Sequence, residues 1–358
     1  MAREAVLLSY RLGGTDGVSV EAVKWEWALR VLGFTTRRVA GHICDAPRPD
    51  DVIVPAIAMD APAGAADSHP LATALAGADL VVAENICSLP INVHASSAAS
   101  DALARHGGRV SFHHHDLPWQ RAELASVRGF PPDLPGALHV VVNDRSRAEL
   151  AARGITAHTI RNTFDFDAPP GDRDPTRAEL GIADDDVVVL QPTRAIPRKN
   201  VPGGVRFAEA LAGLVPERTV VYWLTGPAEY GYDRTLARTM ATTPLRVAHG
   251  RSARPADAYA AADVVVFPST WEGFGNPVIE SVVARRPLAV HGYPVLDEIL
   301  PGLRVFSVQN PDEVAEWLQA PDRALLDANR VLAQRDFSLA DLPGRLDTAF
   351  ADNGWTSW

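Results

Sequence analysis

A chain of 358 residues is long for one domain and comfortable for two, each able to bury a core of its own. Apolar residues at 47% and charged residues at 22% exclude extensive disorder and a membrane-spanning run, so no integral membrane segment is expected. A formal net charge of −10 without a basic stripe excludes a nucleic-acid surface.

Cys44 and Cys87 lie far apart without CxxC spacing, which leaves no disulfide framework and no zinc cluster; both are expected in the core, reduced. The segment MAREAVLLSYRL is charged and passes into a strand, so no signal peptide is expected and the chain is placed in the cytoplasm.

The first strand, AVLLSY, is followed by RLGGTDGVSVEAVKW. Gly13, Gly14 and Gly17 allow a ligand close to the backbone ahead of a helix starting near Ser19, although the pattern is neither GxGxxG nor a P-loop. In the helix EAVKWEWALRVLG, Trp25 and Trp27 are expected to pack in the core or at a domain interface. The strands DVIVP, DLVVAE, RVSFHH and HVVVN complete the first half.

SFHHHDLPW places three histidines in succession, which invites a metal. Consecutive side chains of an extended segment point to alternating faces and cannot all converge on one ion, so no metal is assigned. A histidine with Asp116 at a strand end suits hydrogen bonding to a sugar, and Trp119 suits stacking on an acceptor.

Proline, glycine and aspartate cluster over residues 165–181, where hydrophobic periodicity disappears and a joint is expected. The strands VVVLQP, TVVYWLT, LRVAHG, DVVVFP, PLAV and RVFSV follow, interleaved with the helices VRFAEALAGL, ADAYAAA and PVIESVVARR. Wholly apolar strands separated by amphipathic helices imply parallel sheets covered on both faces. This α/β pattern occurs twice, and ligands are expected beyond the carboxyl ends of the strands, in a cleft between the domains. A final helix is expected after the last strand.

Two loops of the second half carry chemistry. In PTRAIPRKN, Arg194 and Lys199 stand five apart after a strand, suited to neutralising a diphosphate leaving group. Lys199 is one of only two lysines, with Lys24, among many arginines. In STWEGFGNPVIE, Asn276 is a good N-cap and Pro277 a good first helical residue, so a helix start should offer N–H groups and a positive dipole end to phosphate. Glu272 ahead of the turn and Glu280 in the first helical turn would be repelled by phosphate. They are better placed to accept from hydroxyl groups at the two ends of a sugar nucleotide.

The order of these segments, with NTFDFD ahead of the joint and LTGP between the two loops, resembles the retaining GT-B glycosyltransferases of glycosyltransferase family 4 over nearly the whole chain. The strongest matches are Glu-x7-Glu from Glu272 to Glu280 and the R-x4-K spacing of Arg194 and Lys199. The resemblance implies two Rossmann-like parallel-sheet domains facing an interdomain cleft: an acceptor domain over residues 1–165, a donor domain over 166–335, and a helix over 336–358 that crosses back to the first domain.

The same resemblance implies roles. Arg194 and Lys199 would hold the diphosphate, Glu272 the sugar hydroxyls and Glu280 the ribose. Backbone from Gly273 through Phe274 and Gly275 to Asn276 would contact sugar and phosphate, and Gly14 would approach the diphosphate. His115, next to Asp116, would contact the transferred sugar. The chain departs from the family's usual glycines at Thr163, Thr225 and Arg286.

The expected reaction is retaining transfer from a nucleotide-diphosphate sugar to a hydroxyl acceptor, by same-face attack with no required cofactor or metal. Without a basic amphipathic helix, a soluble small-molecule acceptor is expected. The alternatives are a sugar-nucleotide epimerase on the same double fold and a non-enzymatic nucleotide-sugar-binding protein.

Overall fold

Two parallel sheets organise the chain in the computed structural model, which describes residues 3–62, 64 and 68–356. The first holds β1 (Arg3–Leu12), β2 (Phe34–Ile43), β3 (Val52–Ile53), β4 (Leu80–Glu84), β5 (Arg109–His114), β6 (Leu138–Val141) and β7 (His158–Thr159), in the order β3-β2-β1-β4-β5-β6-β7. The second holds β8 (Val187–Gln191), β9 (Val220–Leu224), β10 (Arg246–His249), β11 (Val264–Phe267), β12 (Leu288–Val290) and β13 (Phe306–Ser307), in the order β10-β9-β8-β11-β12-β13.

The central strands β4, β8, β9 and β11 are buried along their whole length because both faces are covered. Along β1, Ala5 and Leu7 join one core with Trp25, Ala28 and Leu29, while Val6 and Leu8 join another with Ile57, Leu71 and Ala99. In the second sheet Val187 and Val189 meet Val205, Ala208 and Leu211 of the helix Val201–Leu214.

The chain forms two units. One runs to Thr163 and resumes at Leu339; the other spans Phe164–Ser338. The helix Leu342–Asp352 belongs to the first unit, where Leu342, Leu346, Ala349 and Phe350, spaced at one helical face, pack beside the helix Gly17–Val31. Within residues 165–181 a short helix, Arg173–Glu179, docks inside the second unit through Arg177, whose guanidinium is buried against Asp263.

Each sheet has one place where the strand order reverses, the place where open parallel sheets bind ligands. In the first sheet this lies between β1 and β4; in the second, between β8 and β11. No helix among the described residues is long and apolar enough to cross a membrane.

Candidate active site

The loops leaving β8 and β11 are stitched together at the reversal of the second sheet. Thr270 N–H donates to Arg198 O at 2.9 Å, and the Asn200 side chain donates to Pro268 O at 3.2 Å. Pro197–Lys199 forms a single tight turn, and Asn200, in the left-handed region at φ 48°, caps the helix Val201–Leu214 by accepting from Gly203 N–H.

This geometry turns Lys199 inward. Its Nζ lies 2.5 Å from Glu272 Oε1 and 5.3 Å from the centre of the Phe267 ring. Arg198, a residue the spacing argument passed over, donates to Glu272 Oε2 at 2.6 Å and to Trp271 O at 2.9 Å. One carboxylate therefore joins two cations, each to a different oxygen.

Burial lowers the Lys199 amine to about 8 against the opposing pull of Glu272, with a further push from the Arg198 charge. Burial would raise the Glu272 carboxyl, yet the charges of Lys199 and Arg198 hold it at about 2. Near neutral pH the site thus contains a carboxylate between two cations. Arg194, in the same loop, turns to Glu229 at 2.6 Å. Glu229 lies just past LTGP, and the Ala195–Ala228 bridge explains the meeting.

After β11 the chain reverses at Gly275, whose φ of 100° only glycine adopts readily; a Cβ there would stand 2.2 Å from the Tyr293 hydroxyl. That hydroxyl donates to Phe274 O, and the helix Asn276–Val283 begins at once. Two expectations are corrected here. The N-cap is Gly275 rather than Asn276, because the left-handed turn falls one residue earlier, and this makes Glu280 the fifth helical residue, beyond the first turn. Glu280 Oε2 accepts from the buried Tyr259 hydroxyl at 2.5 Å, a partner supplied by the helix Pro255–Ala261 and invisible to the spacing argument.

At the reversal of the first sheet, Gly13 takes a φ of 72° against Asp45, and a Cβ on Gly14 would meet Asp16 Oδ2 at 2.9 Å. Asp16 caps the helix Gly17–Val31, which starts two residues before Ser19. Glu84, at the end of β4, is buried and receives both His113 and His115. His114 points to the opposite face, toward Ser88 and His139. Strand alternation thus separates the three histidines and leaves two together, with a carboxylate that the sequence argument did not single out.

The remaining candidates are engaged elsewhere. Asp116 accepts from Arg121 at 2.7 Å. Trp119 donates from Nε1 to Glu149, carries the Arg153 guanidinium 3.6 Å over its ring, and packs against the cluster of Leu117, Val141, Leu150 and Ile155. That occupies one face of the ring expected to stack on an acceptor. Trp25 is buried as expected, but Trp27 is 40% exposed, and Cys44 is exposed while Cys87 is buried; both cysteines are free.

Residues 193–327, which carry both loops, match the family described as Glycosyl transferases group 1. The chain is 27% identical to mannosylglucosylglycerate synthase of Thermotoga maritima, across 84% of this chain and 84% of that one. Among solved structures, it resembles sucrose-phosphate synthase of Thermosynechococcus elongatus at a TM-score of 0.75 and 15% identity, covering 99% of this chain and all 100% of that one. It resembles Anabaena HepE, solved with UDP and glucose, at a TM-score of 0.72 and 16% identity, covering 97% and 99%. The group 1 match thus spans the loops that hold Lys199 and Glu272, the two parallel-sheet units have the GT-B fold of these solved structures, and the chain is a glycosyltransferase.

Proposed function

We propose that the protein transfers a sugar, with retention and without a metal, from a nucleotide diphosphate to a hydroxyl of a soluble small molecule. The observation that carries this reading is the meeting of Lys199 and Arg198 on Glu272 beside the start of the helix Asn276–Val283. A diphosphate seated at that helix end replaces Glu272 as the partner of the Lys199 ammonium. The released carboxylate then accepts from the sugar hydroxyls. Arg194 joins Lys199 on the diphosphate, backbone from Gly273 to Asn276 contacts phosphate and sugar, and Glu280 takes the ribose. Gly14 and His115 are assigned to the diphosphate and to the transferred sugar.

In the reaction the bond from the anomeric carbon to the diphosphate oxygen breaks, and the acceptor oxygen bonds to that carbon on the same face. The acceptor proton passes to the departing phosphate oxygen. Same-face attack is favoured over a covalent sugar–enzyme intermediate because Glu272 is given to the sugar hydroxyls and no other carboxylate is assigned as the nucleophile. Lys199 and Arg194 supply the positive charge that the leaving group needs, so no divalent ion is required. HepE, solved with UDP and glucose, supports the donor class; the Thermotoga relative, named for mannosylglucosylglycerate, supports a small polar acceptor.

The test is incubation with UDP, GDP and ADP sugars in EDTA, first alone and then with small polyol and hydroxy-acid acceptors. Slow release of nucleotide diphosphate without acceptor is expected, then transfer with unchanged anomeric configuration by NMR. Epimer formation without acceptor would overturn the transferase reading, an inverted anomer would overturn retention, and activity returning only with a divalent ion would overturn metal independence.

A further inference from the structure

Glu84 and His113 are register partners on β4 and β5, and His115 follows two residues later on the same face. Glu84 Oε2 lies 2.8 Å from His113 Nδ1 and 3.2 Å from His115 Nε2. An ionised carboxylate only accepts, so each of those nitrogens carries a proton. Among the described residues no lysine or arginine pairs with Glu84; the two imidazoles are its partners. Trp25 stacks on His113 with ring centres 4.1 Å apart, closing the inner end of the cluster.

Exposure rises outward along this group, from 0% for the Glu84 side chain through 1% for His113 to 10% for His115. The His115 backbone is fixed as well. Asn85, in the left-handed region at φ 60°, accepts from His115 N–H at 3.0 Å and from Asp116 N–H at 3.3 Å through one side-chain oxygen. With Nε2 committed to Glu84, the remaining polar atom of the outermost ring is Nδ1.

We propose that Glu84 is a positioning residue: by accepting from Nε2–H it fixes one tautomer of His115 and so dedicates Nδ1 to a hydroxyl of the sugar substrate. This rests on the reading of His115 as the residue that contacts the transferred sugar. Fixing an imidazole through the hydrogen bond on its other nitrogen is a general device for making it a directional ligand or acceptor. His113 shares the same carboxylate oxygen and holds it in place. The three side chains could also be gathered by a metal, since one ligand atom from each lies within 4.8 Å of the others. Zinc, however, requires the ring nitrogens facing it to be deprotonated and its ligands to stand about 3.3 Å apart in a tetrahedron, whereas the 2.8 Å His113–Glu84 spacing is that of a hydrogen bond.

The experiment combines 15N-histidine NMR with kinetics on the full chain. Long-range proton–nitrogen correlations, assigned with His115→Gln and His113→Gln, are expected to show His115 protonated on Nε2 and His113 on Nδ1. Glu84→Leu removes the acceptor and should release the His115 tautomer and lower kcat about ten- to a hundredfold, with donor KM changed less than about threefold, the usual scale for loss of an outer partner. Glu84→Gln keeps an acceptor oxygen and should restore both the tautomer and most of kcat. A wild-type His115 protonated on Nδ1 overturns the proposal, as does a Glu84→Leu protein with unchanged tautomer and kcat, a Glu84→Gln protein as impaired as Glu84→Leu, or one equivalent of tightly held zinc shifting the ring signals. If Glu84→Leu does not fold, the wild-type spectrum still decides the tautomer. If no donor is turned over at all, the functional reading fails while the spectrum alone decides the role of Glu84.

Discussion

Lys199 Nζ and Glu272 Oε1 stand 2.5 Å apart, both side chains at most 10% exposed, on loops from the adjacent strands β8 and β11. The pair must open for a diphosphate to engage the lysine, and only a protonated lysine attracts one. Burial has brought the Lys199 amine down to about 8, so its charge is present below that pH and lost above it. In the free enzyme, kcat/KM for the donor should therefore fall as pH rises through about 8. A bound diphosphate favours the charged amine, so the same limb in kcat should appear at higher pH. Lys199→Arg should remove the limb from the profile, because guanidinium stays charged. A profile of kcat/KM that stays flat well above this range would refute the assignment.

If Glu272 and Lys199 answer to different parts of the donor, as proposed, their variants separate. Glu272→Gln is expected to lower transfer by about a hundredfold or more, the scale for one lost charged contact to a reacting group. Binding of the bare nucleotide diphosphate should persist or strengthen, since Lys199 and Arg198 lose the carboxylate that competes for them. Calorimetric titration with UDP, GDP and ADP checks this. Weaker binding of every diphosphate to Glu272→Gln would mean that the carboxylate does not compete with phosphate.

Tyr259 orients Glu280 through a hydroxyl that donates to Oε2, and the tyrosine is itself buried. Tyr259→Phe keeps the ring and removes this donor, so Glu280 loses one of the holds on its orientation. A hydrogen bond to a charged group is worth about 1.5–3 kcal/mol. If Glu280 holds the ribose, part of that should appear as a rise of about tenfold in donor KM, with kcat little changed. A fall in kcat with donor KM untouched would move Glu280 from ribose binding to the reacting end of the sugar.

Gly275 tests whether the proposed phosphate seat depends on its backbone. At φ 100°, with a Cβ forced to 2.2 Å from the Tyr293 hydroxyl, Gly275→Ala must both strain the turn and displace Tyr293. Destabilisation by more than about 1 kcal/mol is expected from the positive φ alone. Adding Tyr293→Phe removes the clashing oxygen and should recover part of the loss in a urea denaturation series. Full stability of Gly275→Ala alone would show that the turn adapts.

Strands such as β4, β8, β9 and β11 are legible because burial on both faces makes a continuous apolar run, and the more exposed β3, β10 and β13 are legible from shorter ones. β2 escaped this reading because Thr35, Thr36, Arg37 and Arg38 interrupt it. Arg38 is nevertheless buried, held by Asp45 and by Asp51, carboxylates that reach it only once the chain has folded. The site shows the same division. Lys199 and Glu272 were visible as residue types at strand ends, whereas Arg198 and Tyr259 owe their roles to partners far along the chain, at Glu272 and Glu280. Glu84 lay unremarked at the end of an apolar strand, since nothing local announces that β5 will bring two histidines to it. Asn276 was displaced by one position because a good N-cap side chain counts for less than the glycine needed for a left-handed turn.

Trp25 and Trp27 were expected to share one environment, and helix geometry forbids it: two residues apart at about 100° each, they point to opposite sides. Trp25 is 1% exposed, packed among Leu7, Leu29 and Phe350 and stacked on His113; Trp27 is 40% exposed. Trp25→Ala should therefore cost about 3–5 kcal/mol, the range for a large aromatic removed from a core. Its loss also uncovers His113 and, through Glu84, should loosen the His115 ring, so kcat should fall even in the fraction that remains folded. Trp27→Ser should stay within about 0.5 kcal/mol of the wild type, as surface changes do. Urea denaturation of both proteins, with tryptophan fluorescence and activity read together, checks the contrast. Equal destabilisation by the two substitutions would mean that the outer face of the helix Gly17–Val31 is covered in solution.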